Sequence, residues 1–219
     1  MTALEAIREK LQISSVADEL FGENCYVVRR RDTSSAVVID PGLQVRQVID
    51  QVEAEGLTIE HVLLSHGHID HVAGVPMLQQ AYPAPVAMHP DDRAILEWEQ
   101  FAQLPFLPAG FQPFVVDTDL GDGSELALHD VSLRVLHTPG HTQGSVCFLF
   151  GLDCFVGDTL FQRSIGRTDL PGGSFQKIVI SIRTALYALP SRTVVHPGHG
   201  PRTTIEEEML LNPFVPAAP

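Results

Sequence analysis

The sequence predicts an α/β protein in the broad sense, with mixed β-sheets flanked by helices, and three observations lead there. Short apolar runs of strand length recur in both halves of the chain, among them Cys25-Tyr26-Val27-Val28, Ala36-Val37-Val38-Ile39 and Val146 to Phe150. Segments of helical period lie between them, with Val45, Val48, Ile49 and Val52 on one face of the first and Phe175, Ile178, Val179, Ile182, Leu186 and Leu189 on one face of another. Hairpin-like spacings outnumber long crossovers, which favours mixed sheets over a purely parallel, doubly wound one. The 219 residues contain no Gly/Ser-rich or Pro-rich linker, so residues 1–219 are expected to form one domain.

Taken in chain order, residues 1–12 read as a peripheral helix, with Thr2 and Glu5 in capping-box spacing and Leu4, Ile7 and Leu11 on one face. Two strands follow, Cys25 to Val28 and Ala36 to Ile39, with basic Arg29-Arg30-Arg31-Asp32 as the hairpin loop between them. Asp40-Pro41-Gly42 closes the second strand as a turn, and the helix beginning near Val45 stops at Gly56. His61 to Leu64 is the next strand, then Val86 to Met88 and a helix-like stretch from Asp91 to Gln100. Trp98, Phe101, Phe106, Phe111 and Phe114 mark an aromatic, Pro-containing loop, read equally as a lid over an apolar pocket or as a loop anchored in the core. Further strands are expected at Ser132 to Leu136, Val146 to Phe150, Cys154 to Val156 and Thr193 to Val195. A helix spans about Ser174 to Leu189, and a short capped one runs from Thr204 to Leu211.

Charge narrows the partners. Fourteen Lys and Arg against 27 Asp and Glu give a formal charge of -13, which repels a phosphate backbone or an anionic leaflet. Nucleic acid and membrane partners are therefore not expected. Cys25, Cys147 and Cys154 are odd in number, lack CxxC spacing and lie in or beside apolar runs, so they read as buried thiols in a reducing compartment. The first residues carry no apolar targeting core, and no apolar run reaches membrane-spanning length, so a cytoplasmic location is expected.

Chemistry concentrates in His66-Gly67-His68-Ile69-Asp70-His71, which places three imidazoles and a carboxylate directly after an apolar strand. Borderline divalent metals bind imidazole nitrogen and carboxylate oxygen, and packing alone does not explain so many donors in six residues. Three other turns offer donors beside glycine or proline: His137-Thr138-Pro139-Gly140-His141-Thr142, Gly157-Asp158-Thr159 and His196-Pro197-Gly198-His199-Gly200. Together the four segments supply donors for two metals. His61, His89 and His129 lie outside these turns and read as surface or loop residues, while His137 and His196 are candidates to support the donors rather than to bind.

The pattern His66-x-His68-x-Asp70-His71, then His141, Asp158 and His199, resembles the metallo-β-lactamase superfamily from about Asn24 onward. The resemblance implies a four-layer αββα sandwich with two divalent metals at one edge, zinc in the first instance and iron or manganese as alternatives. It also implies that His66, His68 and His141 hold one metal, that Asp70, His71 and His199 hold the other, and that Asp158 bridges them. Two cations about 3.5–4 Å apart lower the pKa of a shared water toward about 7, so that a metal-bound hydroxide attacks an acyl carbon while the metal stabilises the oxyanion. Asp70 would orient that nucleophile or take its proton, and Asp40 would accept the N–H of a ligand imidazole.

Within the superfamily the chain is most similar to glyoxalase II-type hydrolases of the short single-domain branch. Thr138 to Thr142, Gly157 to Phe161, Gly166-Arg167-Thr168-Asp169 and Pro197 to Gly200 carry the likeness. It implies hydrolysis of a small-molecule thioester, S-lactoylglutathione or a related S-acyl thiol. Arg167 and Asp169 stand where the two-domain form of these hydrolases has a Lys/Tyr pair, and Arg167 is the candidate grip for a substrate carboxylate. The Gly-Arg-Thr-Asp segment also occurs in persulfide dioxygenases of this fold. That alternative would hold one iron through His66, His141 and Asp158.

Overall fold

The computed structural model describes residues 2–96, 104–107 and 112–216. A first sheet of six strands is built from β1 (Leu11–Ala17), β2 (Asn24–Arg30), β3 (Ser35–Ile39), β4 (Thr58–Leu63), β5 (Val86–Met88) and β6 (Thr118–Asp119), in that spatial order. Its first three strands run antiparallel, and β3 to β6 pair parallel. The second half supplies β7 (Glu125–Leu128), β8 (Val131–His137), β9 (Val146–Phe150), β10 (Asp153–Gly157), a small hairpin of β11 (Leu160–Phe161) and β12 (Ser164–Ile165), then β13 (Val194–Pro197) and β14 (Thr203–Thr204). These form a second sheet in the order β14-β13-β10-β9-β8-β7, in which only β10 and β13 are parallel.

Side-chain alternation makes the layers. Tyr26 and Val28 of β2, with Val37, Ile39 and Leu63, face Leu133, Val135, Phe148 and Phe155 of the second sheet in one buried cluster. The alternate residues Cys25, Val27, Val38 and Val62 pack outward against α2 (Val45–Ala54) and α4 (Val75–Ala81). On the far side, Cys147, Cys154, Val156 and Val195 pack against α5 (Phe175–Ser181), its continuation through Ile182–Leu186, and α6 (Ile205–Leu211). The result is helix, sheet, sheet, helix, as the resemblance implied. All three cysteines are free and buried. Among the described residues, no helix is long and apolar enough to cross a membrane.

Several local expectations change. The N-terminal helix α1 is Ala3–Lys10, with the expected Thr2 and Glu5 capping box, and it buries none of its residues. Leu11 and Gln12 leave it and open β1, because Leu11 is buried against the second sheet and residues 11–17 find backbone partners along β2. Arg29 and Arg30 belong to β2 rather than to the loop; buried Arg30 is retained because Asp32 and Asp130 meet its guanidinium. The expected helix of residues 174–189 is α-helical only to Ser181, then widens into a π turn. A 3₁₀ turn, Pro90–Ile95, replaces the helix expected from Asp91, whose later part, 97–100, lies outside the described residues. Trp98, Phe101 and Phe111 lie there too, whereas Phe114 is anchored in the core and Phe106 packs edge-on against Phe21.

Candidate metal centre

All seven predicted donors meet at one edge of the sandwich. His66 follows β4, and the chain then enters α3 (Ile69–Val72), which carries Asp70 and His71 with His68 at its N-cap. His141, Asp158 and His199 follow β8, β10 and β13 of the other sheet. The donor atoms of His66, His68 and His141 lie within 4.8 Å of one another, as do those of Asp70, His71 and His199, and those of His66, His71 and Asp158. Asp158 faces both groups: its Oδ1 is 3.4 Å from His71 Nε2, and its Oδ2 is 3.5 Å from His141 Nε2 and 3.6 Å from His199 Nε2. Only glycine fits at 198, because a Cβ there would meet Asp158 Oδ1 and, at 2.7 Å, His71 Cε1.

The imidazoles are aimed by what their other nitrogens touch. Asp40 Oδ2 accepts from His71 Nδ1 at 3.0 Å and from Ser65 Oγ at 2.6 Å, while Asp40 Oδ1 accepts the Ser65 N–H at 2.7 Å. Since the Ser65 hydroxyl donates to Asp40, its oxygen is left to accept from His66 Nδ1, 3.0 Å away. His141 Nδ1 donates to the Arg167 carbonyl at 2.8 Å, and His199 Nδ1 to the Phe21 carbonyl at 3.1 Å. Four imidazoles thus present Nε2 to the centre, and His68 presents Nδ1, 2.9 Å from His141 Nε2. Asp40 holds this post with φ at 50°, a left-handed conformation that costs a non-glycine residue about 1–3 kcal/mol.

Electrostatics match a cation site. Burial pushes His66 well below the usual imidazole range, and burial with the His141 charge pulls His68 down to about 4. Burial would raise Asp158, but the His71 charge holds it below the carboxylate range; the His199 hydrogen bond and His71 charge likewise overcome burial at Asp70. Burial opposes charge on His71, yet Asp158 and Asp40 hold it well above its ordinary value. Asp70 and Asp158 are thus held ionised and His66 and His68 neutral, while His71, and His199 held up against burial by Asp70 and Asp158, favour a proton that a bound metal would displace. Among the described residues, His66 Nε2 and Asp158 Oδ1 are buried without a hydrogen-bond partner, a cost of about 1–3 kcal/mol each that a bound metal would remove. The residues present fit divalent metals.

Some neighbours behave differently from expectation. The Arg167 guanidinium turns outward onto Asp169 at 2.8 Å and is 61% exposed, so in this structure its backbone carbonyl, not its side chain, serves the centre. His196 pairs with buried Asp153 at 2.9 Å and stacks on Phe155, and His137 meets the Gln143 carbonyl, so neither supports a donor imidazole directly. His89, expected at the surface, is buried and stacks on His137 at 4.2 Å with planes 8° apart. Ring-nitrogen lone pairs lie in the ring plane, so parallel imidazoles do not converge on one ion. Ser65, Glu23 and Asp92 are buried around the centre and were not singled out from sequence. A single Ser, Glu or Asp carries no spacing signal.

Asp40→Ala should leave His71 and Ser65 unanchored and weaken metal affinity about 10–100-fold, read by competition with a chelator. Wild-type affinity would remove Asp40 from this role.

Comparison with known proteins agrees with this geometry. Residues 18–199 match the Metallo-beta-lactamase superfamily. The chain is 34% identical over 210 residues to the hydroxyacylglutathione hydrolase GloC of Haemophilus influenzae, covering 94% of this chain and 98% of that one. Among solved structures it is similar to the BLEG-1 B3 metallo-beta-lactamase, with TM-score 0.85 and 35% identity over 93% of this chain and 99% of that one. Its likeness to ETHE1 from Myxococcus xanthus has TM-score 0.79 and 29% identity, over 93% and 84% of the two chains. TTHA1623 in a di-iron-bound form is similar at TM-score 0.81 and 36% identity, over 92% and 99%. With the fold, the donor geometry and these likenesses in agreement, the chain belongs to the metallo-beta-lactamase superfamily.

Proposed function

We propose that this enzyme of the metallo-hydrolase superfamily hydrolyses thioesters in the manner of glyoxalase II, acting on S-lactoylglutathione or a related S-acyl thiol. One observation carries the reading: a second complete donor group, Asp70, His71 and His199, stands beside the first and shares Asp158 with it. In this assignment His66, His68 and His141 hold one divalent metal, Asp70, His71 and His199 hold another, and Asp158 joins them. Zinc is the first expectation for both, with iron and manganese as the other candidates; the di-iron form of TTHA1623 supports iron as a serious one. When bound, such a pair supplies acidified water and positive charge for the acyl oxygen.

The chain's own residues do the rest. Asp40, Ser65 and the carbonyls of Phe21 and Arg167 hold the imidazoles in the tautomer that binds metal. The Asp70 carboxylate, kept ionised by His199 and His71, orients the attacking water and takes its proton at Oδ2. Thiolate leaves readily, so no dedicated acid is required on the departing side. The hydrolase name of the GloC relative supports the reaction class.

The Gly166 to Asp169 segment and the likeness to ETHE1 support a second reading, a persulfide dioxygenase with one iron on His66, His141 and Asp158. One paired measurement separates the two. Metal content of about two per chain with thioester hydrolysis is expected; one iron per chain with oxygen uptake on glutathione persulfide would replace the hydrolase reading.

Arg167 enters this proposal as a substrate contact whose guanidinium must leave Asp169. Arg167→Ala should raise KM about tenfold, the size of one charge-assisted hydrogen bond, with metal content unchanged. Unchanged kinetics on every active thioester would remove Arg167 from the substrate site.

A further inference from the structure

We infer that Asp92 is a positioning residue that sets the spacing of the first metal site by tying its two donor turns to one carboxylate. The inference rests on the reading of His66, His68 and His141 as the donors of one metal. Those donors come from separate parts of the chain: His66 and His68 flank Gly67 after a first-sheet strand, and His141 sits in a second-sheet turn. Asp92 reaches both turns. Its Oδ2 accepts from the Gly67 N–H at 2.9 Å and the Thr142 hydroxyl at 2.8 Å, and its Oδ1 accepts from the Gly144 N–H at 2.6 Å. Thr142 in turn lies 2.7 Å from Ser145 Oγ, which also accepts the Thr142 N–H.

The approach is close enough to exclude side chains. A Cβ on Gly144 would meet Asp92 Oδ1 at 2.7 Å and its N at 2.8 Å, and one on Gly67 would meet the Asp92 carbonyl oxygen at 3.0 Å and Ile95 Cβ at 3.3 Å. Asp92 itself has no exposed surface and is delivered by the 3₁₀ turn after β5. Three donors converge on it from two turns, so both its oxygens must be acceptors. Asparagine has the same shape but offers one acceptor oxygen, so its amide would face an N–H from one turn and release that turn. Among the described residues, Asp70, His71 and His199 have no such tie; Asp40 anchors His71 and the Phe21 carbonyl anchors His199 instead. Loss of Asp92 should therefore act on one metal and spare the other.

The test uses the purified, metal-loaded protein and a competing chelator. Asp92→Asn is expected to retain one tightly bound metal and to hold the other about 10–100-fold more weakly. In a His199→Ala background, where only the first group remains complete, adding Asp92→Asn should remove the last tight equivalent. Cobalt substituted at that site should show an altered visible spectrum in Asp92→Asn. Two metals held with wild-type affinity, or equal weakening of both, would overturn the inference. Should Asp92→Asn fail to fold, Thr142→Val removes one of the three donors and should weaken the first metal several-fold, while Thr142→Ser, which keeps the hydroxyl, should match wild type; equal affinities in Thr142→Val and wild type would overturn it as well. Absence of thioester hydrolysis in the unsubstituted protein would defeat the proposed reaction but leave these metal readouts standing.

Discussion

Replacing Asp158 by Ala should remove metal and activity together. Its two oxygens lie 3.4–3.6 Å from His71, His141 and His199, so one carboxylate meets both donor groups at once. Two cations about 3.5–4 Å apart repel strongly where water is scarce, and an anion between them offsets that repulsion. Without it the second cation should not be retained. Activity should fall about 10³-fold or more, the scale on which losing one electrostatic stabiliser acts. Asp158→Asn keeps the shape and removes the charge, and should behave almost as badly. Metal analysis checks the assignment directly: two equivalents per chain in purified Asp158→Ala would end the bridging role.

Phe148→Ala should be the most damaging single change to stability. Phe148 is fully buried between the sheets, opposite Val135 on β8 and Phe155 on β10. Truncating such a ring costs about 3–5 kcal/mol through lost burial and the cavity left behind. For a chain of this size that lowers the thermal midpoint by about 10 °C. The site would feel the change, because each donor group combines residues that follow strands of both sheets. Sheet separation is donor separation. Added metal should restore part of the lost midpoint, since it binds the folded form alone. Thermal unfolding with and without metal checks both, and an unchanged midpoint would show that the sheets are not held by this core.

The donor set was legible because it is dense in sequence. His66 to His71 places four donors within one turn, and the glycines and prolines around His141, Asp158 and His199 announce tight turns at strand ends. Asp40 stood out in the Asp-Pro-Gly turn, and its carboxylate lies 3.0 Å from His71 Nδ1. Asp92 did not, because its partners Gly67, Thr142 and Gly144 are 25, 50 and 52 residues away and two of the three contribute backbone N–H groups that no side-chain pattern encodes. The Phe21 and Arg167 carbonyls escaped for the same reason. Arg167 is an apt residue type at an apt position, and its side chain in the structure pairs with Asp169 two residues away.

Strand content shows the same division. Strands of four or more residues with strong apolar runs, such as β9 and β10, were found, whereas β6, β11, β12 and β14 are two residues long and owe their conformation to neighbours. The first two residues of β1 were read as the end of a helix because Leu11 suits either period, and pairing with β2 decided it. By itself the sequence determined which residues offer metal donors and that mixed sheets with flanking helices would bury the apolar faces, since donor chemistry and hydrophobic period are local. Only the tertiary structure decided which nitrogen of each imidazole faces the centre, that Asp158 touches both groups, and that a buried carboxylate ties the first two turns. Those depend on distances between segments far apart in the chain, which packing of the two sheets alone fixes.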